Sequence, residues 1–292
     1  MQEPDISKIT LDKIQLPSFT KKRIELNMLR LDKIHPVISG NKWFKLKYHL
    51  ENYHNGSYKG ILTFGGSWSN HMVATACTCY QQKIPSIGII RGEKPAKLSD
   101  SLQQVMNFNM KLEFISRELY KQKDSDEFIR KIKIEYPGFY IIPEGGAGVD
   151  GDKGAGEIMN LVSKETYTHI ACAIGTATMF NGISKTISPN QQVIGIVVLK
   201  GWKELAHESS KNIFYDYHFG GYAKSNPLLL EFMNDFYRQT EIPTDFVYTG
   251  KMVFAIHDLL KKKYFPDRSK ILMIHSGGLQ GNASLPGGTL IF

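Results

Sequence analysis

Short β-branched and aliphatic runs alternate along the chain with longer stretches whose apolar residues recur every three to four positions. Residues 59–64, 86–91, 111–115, 139–142, 168–174, 193–199 and 270–275 read as strands. Residues 71–82, 100–109, 127–136, 156–164 and 251–263 read as helices. This alternation predicts an α/β fold with a mainly parallel sheet covered by helices. Glycines cluster where the strands end, at Gly65-Gly66, Gly145-Gly146, Gly175, Gly220-Gly221 and Gly277-Gly278. In open α/β sheets that edge is where ligands bind, and a glycine there lets backbone N–H groups approach an anion at a helix N-terminus. A tight βα turn explains any one of these loops. Five of them favour a shared ligand cleft, and the glycine-rich stretch 145–156 marks a candidate crossing between two domains.

With 292 residues, 42% hydrophobic and 22% charged, the chain can bury a sizeable core as one large domain or two modest ones. The formal charge of +8 is spread along the sequence, and Lys261-Lys262-Lys263 sits where a helix C-terminus favours cations. That argues against nucleic acid and suits small anionic ligands. Three cysteines, Cys77, Cys79 and Cys172, are too few for a secreted disulfide framework and fit a reducing cytoplasm. The opening residues lack a basic and apolar leader pattern, and the longest apolar run, 193–199, is far short of a membrane span. A cytoplasmic protein with no membrane partner is expected.

Gly146-Ala-Gly148-Val-Asp-Gly151 matches G-x-G-x-x-G after a strand, but the nearest acidic residue, Glu165, precedes the next strand instead of ending it. This argues against a nicotinamide dinucleotide site. No phosphate-loop or zinc motif is present, so no metal site is expected. Cys77-Thr-Cys79 among Met72, Val73, Ala74 and Ala76 reads as a buried helix face, and His49 and His54 as solvated helix-end residues.

In Ser39-Gly-Asn-Lys-Trp-Phe-Lys-Leu-Lys-Tyr48, Lys42 follows an Asn that could cap the helix it opens. A lysine at a dry helix start deprotonates more readily than a surface lysine and can add to a carbonyl. Four further segments follow: Gly65-Gly66-Ser67-Trp68-Ser69-Asn70-His71, Gly175-Thr176-Ala177-Thr178, Tyr248-Thr249-Gly250-Lys251 and His275-Ser276-Gly277-Gly278. Their order, from about Arg23 to Gly281, resembles the D-cysteine desulfhydrase and 1-aminocyclopropane-1-carboxylate (ACC) deaminase family of pyridoxal-phosphate enzymes.

The resemblance implies the tryptophan-synthase-β-like fold (pyridoxal-phosphate fold type II), with two open twisted sheets flanked by helices. A smaller domain, 46–150, would be inserted in a larger one made of 1–45 and 151–292, and the enzyme would be a homodimer. Lys42 would carry the pyridoxal 5'-phosphate and, once released, act as general base at the substrate Cα. Asn70 would bond the cofactor's phenolic oxygen, and Ser69 would hold the substrate carboxylate or move a proton, with Ser67, Trp68 and His71 beside the substrate. Gly175, Thr176, Ala177 and Thr178 would hold the phosphate, although Ala177 and Met179 stand where relatives carry Gly and Thr. Tyr222 would stack on or near the cofactor, and Tyr248 would be catalytic.

Thr249, Ser276 and Gly277 would surround the pyridine nitrogen. A carboxylate there keeps the ring protonated, whereas a hydroxyl leaves it neutral and suits β-elimination. ACC deaminases resemble one another in having Glu and Leu where this chain has Thr249 and Ser276. The expected activity is therefore elimination from a small amino acid, D-cysteine giving pyruvate, ammonia and sulfide. The alternatives are ACC ring opening to 2-oxobutanoate and ammonia, or a binding protein that has lost turnover. Leu29-Arg30-Leu31-Asp32 also departs from the family's basic-basic-Glu-Asp segment, with Leu31 at the Glu position, and Phe44 stands where an Arg is often found. Lys45, on the helix face of Lys42, reads as a solvated or phosphate-side charge.

Overall fold

The computed structural model describes residues 4–15, 23–201 and 212–292. In chain order the elements are β1 (Leu11–Ile14), β2 (Glu25–Arg30), α1 (Asn41–Asn55), β3 (Gly60–Gly65), α2 (Asn70–Gln81), β4 (Ser86–Arg91), α3 (Asp100–Asn107), β5 (Lys111–Ile115), α4 (Arg117–Tyr120) and α5 (Asp126–Glu135). Then follow β6 (Phe139–Ile142), α6 (Val149–Gly156), β7 (His169–Ile174), α7 (Thr178–Ser184), β8 (Gln192–Val197), β9 (Ile213–Phe214), α8 (Pro227–Thr240), α9 (Thr249–Lys261) and β10 (Lys270–His275).

The strands form two sheets, one ordered β1-β2-β10-β7-β8-β9 and the other β5-β4-β3-β6. Every pairing is parallel except β1 with β2. Parallel strands covered on both faces read as unbroken apolar runs, and β3 and β7 are buried along their whole length. On one face of the six-stranded sheet, Phe236 of α8 and Met252, Val253 and Ile256 of α9 pack against Ala171 and Ile196. On the other, Ala155 of α6 and Phe180 and Ile183 of α7 pack against Ile170 and Val197. The four-stranded sheet is covered by Phe128 and Ile132 of α5 on one side and by apolar residues of α1, α2 and α3 on the other.

All seven expected strands are present, most within a residue of their sequence bounds. The antiparallel edge formed by β1 and β2 escaped the pattern, since its short strands are neither continuously apolar nor cleanly alternating. The helix expected over 156–164 lies elsewhere: α6 begins at Val149 and gives way to a 3-10 turn over Glu157–Leu161. The cause is packing. A Cβ on Gly151 would stand 1.8 Å from the Gly146 carbonyl oxygen, and one on Gly154 would stand 1.9 Å from the Phe44 carbonyl oxygen. The G-x-G-x-x-G segment thus lets α6 approach its own entry loop, and Gly154 lets it lie directly on α1.

This close approach generates a stability prediction. Gly154→Ala forces α1 and α6 apart against backbone and lowers unfolding free energy by about 1–3 kcal/mol, measured as a shifted urea midpoint. An unchanged midpoint would contradict the contact.

Candidate active site

The loops at the C-terminal ends of β3, β6, β7 and β10 and the loop after β9 meet at one cavity of about 210 Å³. Each expected glycine loop contributes to its wall, through Gly66, Gly145, Gly175, Tyr222 and Ser276.

Lys42 reaches this cavity because of how α1 begins. Gly40 is the N-cap at φ +68°, and a Cβ there would stand 1.8 Å from the Ser276 carbonyl oxygen. The Asn41 N–H donates to that same oxygen at 3.2 Å. Asn41 is therefore not the cap expected from sequence; its side chain accepts from Lys42 Nζ at 2.7 Å and donates to Met179 Sδ at 3.3 Å. Burial lowers the Lys42 amine to about 8, against the opposing pull of the Asp245 carboxylate. Lys45, expected to be solvated or phosphate-side, lines the cavity and is only 6% exposed. Burial first, and then the Lys42 charge, push its pKa far down. Its ammonium makes no hydrogen bond or ion pair among the described residues.

Opposite the lysines, Thr176, Ala177, Thr178 and Met179 line the cavity at the start of α7. The first intrahelical bond there is donated by Asn181 to Ala177, so the N–H groups of Thr178, Met179 and Phe180 precede any helical acceptor. Thr176 and Thr178 hydroxyls lie 2.9 Å apart. The geometry is that of an anion cradle. Ala177 is left-handed at φ +60°, a strain of about 1–2 kcal/mol that glycine would avoid. Leu31, Phe44, Ala177 and Met179, the departures from the family pattern, all fall in one apolar cluster.

Ser69 caps α2 by accepting from Met72 N–H at 3.3 Å, and lines the cavity with Asn70 and His71. Asn70 Oδ1 is buried without a partner. The Thr63 hydroxyl donates to the Ile142 carbonyl at 2.9 Å, so at 2.8 Å it must accept from His71 Nε2–H. His71 Nδ1 is then a bare acceptor, buried and unpartnered. Burial and the neighbouring lysines hold this ring well below its usual pKa, so it is neutral. His49, expected to be solvated, is 3% exposed and bonds Tyr140 Oη at 3.2 Å. His54 is exposed as expected, and the Cys77 and Cys79 face of α2 is buried.

The third wall is built around Asp245, which sequence reasoning missed. Fully buried, it accepts N–H bonds from Val247, Tyr248 and Thr249 at 3.0, 2.6 and 2.9 Å and so fixes the start of α9. Burial raises its carboxyl pKa despite these bonds. Tyr248 faces the cavity with its pKa raised well above normal by burial, and therefore keeps its proton. Tyr222, exposed at the mouth, meets it edge-on at 6.2 Å. Lys251 of α9 ties the tyrosine loop down, donating to the His218 and Gly221 carbonyls at 2.8 Å each.

Four residues expected at the site do not line the cavity. Thr249 is fully buried behind Ser276, with their hydroxyls 3.5 Å apart. Gly277 is occupied with packing on Gly40 and Ser39. Ser67 and Trp68 sit at the loop tip, where the Ser67 carbonyl accepts from Ser99. Conversely, Arg91 and Glu144 line the cavity at the ends of β4 and β6 without having been expected. Charged residues ending parallel strands were the available signal.

A family model described as pyridoxal-phosphate dependent enzyme matches residues 12–277. A Pyrococcus abyssi protein provisionally named 1-aminocyclopropane-1-carboxylate deaminase is 28% identical over 271 residues, covering 84% of this chain and 81% of its own length. A Thermotoga maritima protein of the same provisional name is 26% identical over 273 residues, covering 84% and 86%. Among solved structures, an ACC deaminase homologue superposes with a TM-score of 0.77 at 24% identity over 97% of this chain and 91% of that one. A hydrogen sulfide-producing enzyme from Fusobacterium nucleatum gives 0.68 at 15% identity, covering 94% and 98%.

The Lys42 environment sets a pH dependence in the cofactor-free protein. Because its lowered pKa favours the neutral amine, competitive acetylation read by peptide mass spectrometry should rise through a midpoint near 8. A midpoint at the ordinary lysine value of 10.5 would contradict its burial.

Proposed function

The chain belongs to the pyridoxal-phosphate-dependent enzyme family and has its tryptophan-synthase-β-like fold, and from that premise we propose that it is a lyase that eliminates the β-substituent of a small amino acid, with D-cysteine as a substrate. The cavity's groups suit the cofactor. Lys42 offers an amine for the aldehyde, the start of α7 with Lys45 a cradle for the phosphate, and Asn70 an unpartnered amide oxygen beside an N–H₂ group for the ring substituent.

When bound, the cofactor supplies an electron sink conjugated to the substrate's amino group. Lys42, with its lowered pKa, takes the Cα proton as general base. Tyr248 retains its proton in this site and can donate it to the departing group. Asn70 and His71, at the start of α2, offer backbone N–H groups to the substrate carboxylate. His71 contributes no charge, since its ring is neutral.

The observation that carries elimination is the choice of groups beside Lys42. Ser276 Oγ lines the cavity with Thr249 Oγ1 behind it, and the buried carboxylate of this wall, Asp245, is engaged by three backbone N–H groups outside the lining. A hydroxyl facing the ring nitrogen leaves it neutral, which suits β-elimination. ACC ring opening is the second reading, favoured by the provisional names of the archaeal and bacterial relatives. No described helix is long and apolar enough to cross a membrane. A cytoplasmic location is part of the proposal, supported by three buried free cysteines, and a homodimer is carried over from the family resemblance.

The purified protein should be yellow and release pyruvate and sulfide from D-cysteine faster than 2-oxobutanoate from ACC. Lys42→Ala should lower turnover by at least about 10³-fold. A faster ACC reaction would favour the second reading, and wild-type protein that stays colourless with added cofactor would overturn both.

A further inference from the structure

The described cations lining the cavity are Lys42, Lys45 and Arg91. Lys42 is half-buried and Lys45 buried, both with lowered pKa values, so neither offers a dependable charge to a substrate. Arg91 differs on every count. It ends β4, is exposed to solvent, and makes no hydrogen bond or ion pair among the described residues. Its guanidinium is a planar fork of five N–H donors.

Its position is at the substrate end. Arg91 Nη2 lies 3.7 Å from where a Cβ on Gly66 would stand, in the loop that leads to Ser69. Away from the cavity, the same residue borders a depression shared with Arg117, Lys121 and Lys123 and with Glu118 and Glu144. Glu144 also lines the catalytic cavity, and its carboxylate shares Lys123, at 3.5 Å, with Asp124, which that lysine meets at 2.5 Å. Arg91, Arg117, Lys121 and Lys123 outnumber Glu118 and Glu144 around the depression, and the Arg91 side chain brings an unpaired planar donor fork to the cavity lining.

That fork has no role in holding the substrate's α-carboxylate if the N–H groups of Asn70 and His71 do so. We propose that Arg91 is a specificity-determining residue that binds a second anion on the substrate's side chain, so that amino acids with a carboxylate or phosphate at the β-position bind in preference to neutral ones. This inference rests on the reading of the cavity as a pyridoxal-phosphate site for amino acids. It goes beyond that reading by naming the charge of the side chain. D-Cysteine, whose thiol side chain carries neither group, is then a weaker ligand than the acidic members.

The test is equilibrium binding to the cofactor-loaded protein, followed by the absorbance of the bound cofactor and by calorimetry, independent of turnover. Probes are aspartate against its neutral isostere asparagine, and O-phosphoserine against serine, each in both hands. Wild type should bind the acidic member at least about tenfold more tightly. Arg91→Gln should collapse that ratio toward one, and Arg91→Lys should restore part of it. Equal affinity of wild type for aspartate and asparagine and for O-phosphoserine and serine, or an Arg91→Gln variant that weakens acidic and neutral ligands alike, would overturn the inference and leave the lyase reading standing. A wild type in which no amino acid alters the spectrum or releases heat would overturn both.

Discussion

The site depends on one steric contact: Gly40 lies against the backbone of Ser276 and Gly277, so that the first turn of α1 rests on the C-terminal end of β10. No Cβ can be placed at Gly40 without overlapping the Ser276 carbonyl, and Gly277 is closed to a side chain by the same approach. The Asn41 N–H bonds that carbonyl and fixes the axial position of the helix. Lys42 and Lys45, one turn apart, are thereby delivered to the same cavity wall. The cavity is bordered by loops of both sheets because α1 packs on apolar clusters belonging to each, through Phe44 on one side and Leu46 and Leu50 on the other.

Two lysines in one small cavity repel each other, and that repulsion has a use. Desolvation lowers both amines, and the Lys42 charge lowers Lys45 further, so that Lys42 is a nucleophile and base near neutral pH. An anion held at the start of α7 would favour the charged form of Lys45, so the cavity is electrostatically disposed toward a phosphate. The remaining walls are fixed by groups that never touch the cavity. Asp245 aligns three N–H groups to present Tyr248, Lys251 ties down the loop of Tyr222, and Thr63 sets the His71 tautomer.

The parallel strands were legible in the sequence because burial on both faces leaves an unbroken apolar run, and the glycine pairs after them pointed to one cleft. Helix α6 was misplaced because its signal is spacing between glycines, which hydrophobic periodicity does not register. Within the motifs, sequence adjacency did not say which neighbour faces inward: Ser276 lines the cavity while Thr249 stands behind it and Gly277 packs on Gly40. Arg91 and Glu144 went unnoticed because a charge at a strand end looks like an ordinary solvated residue until the opposing loops are in place. The spacing of Lys45 from Lys42 put both on one helix face and left a solvated or a phosphate-side charge open; burial at 6% exposure in the cavity wall removes the solvated alternative.

The central claim is that a carbonyl cofactor joins the ε-amine of Lys42 in this cavity. Borohydride reduction of the cofactor-loaded protein would make the linkage permanent, and peptide mass spectrometry would locate it. The account predicts the added mass on Lys42; its appearance on Lys45 or on a surface lysine, or its absence, would contradict it.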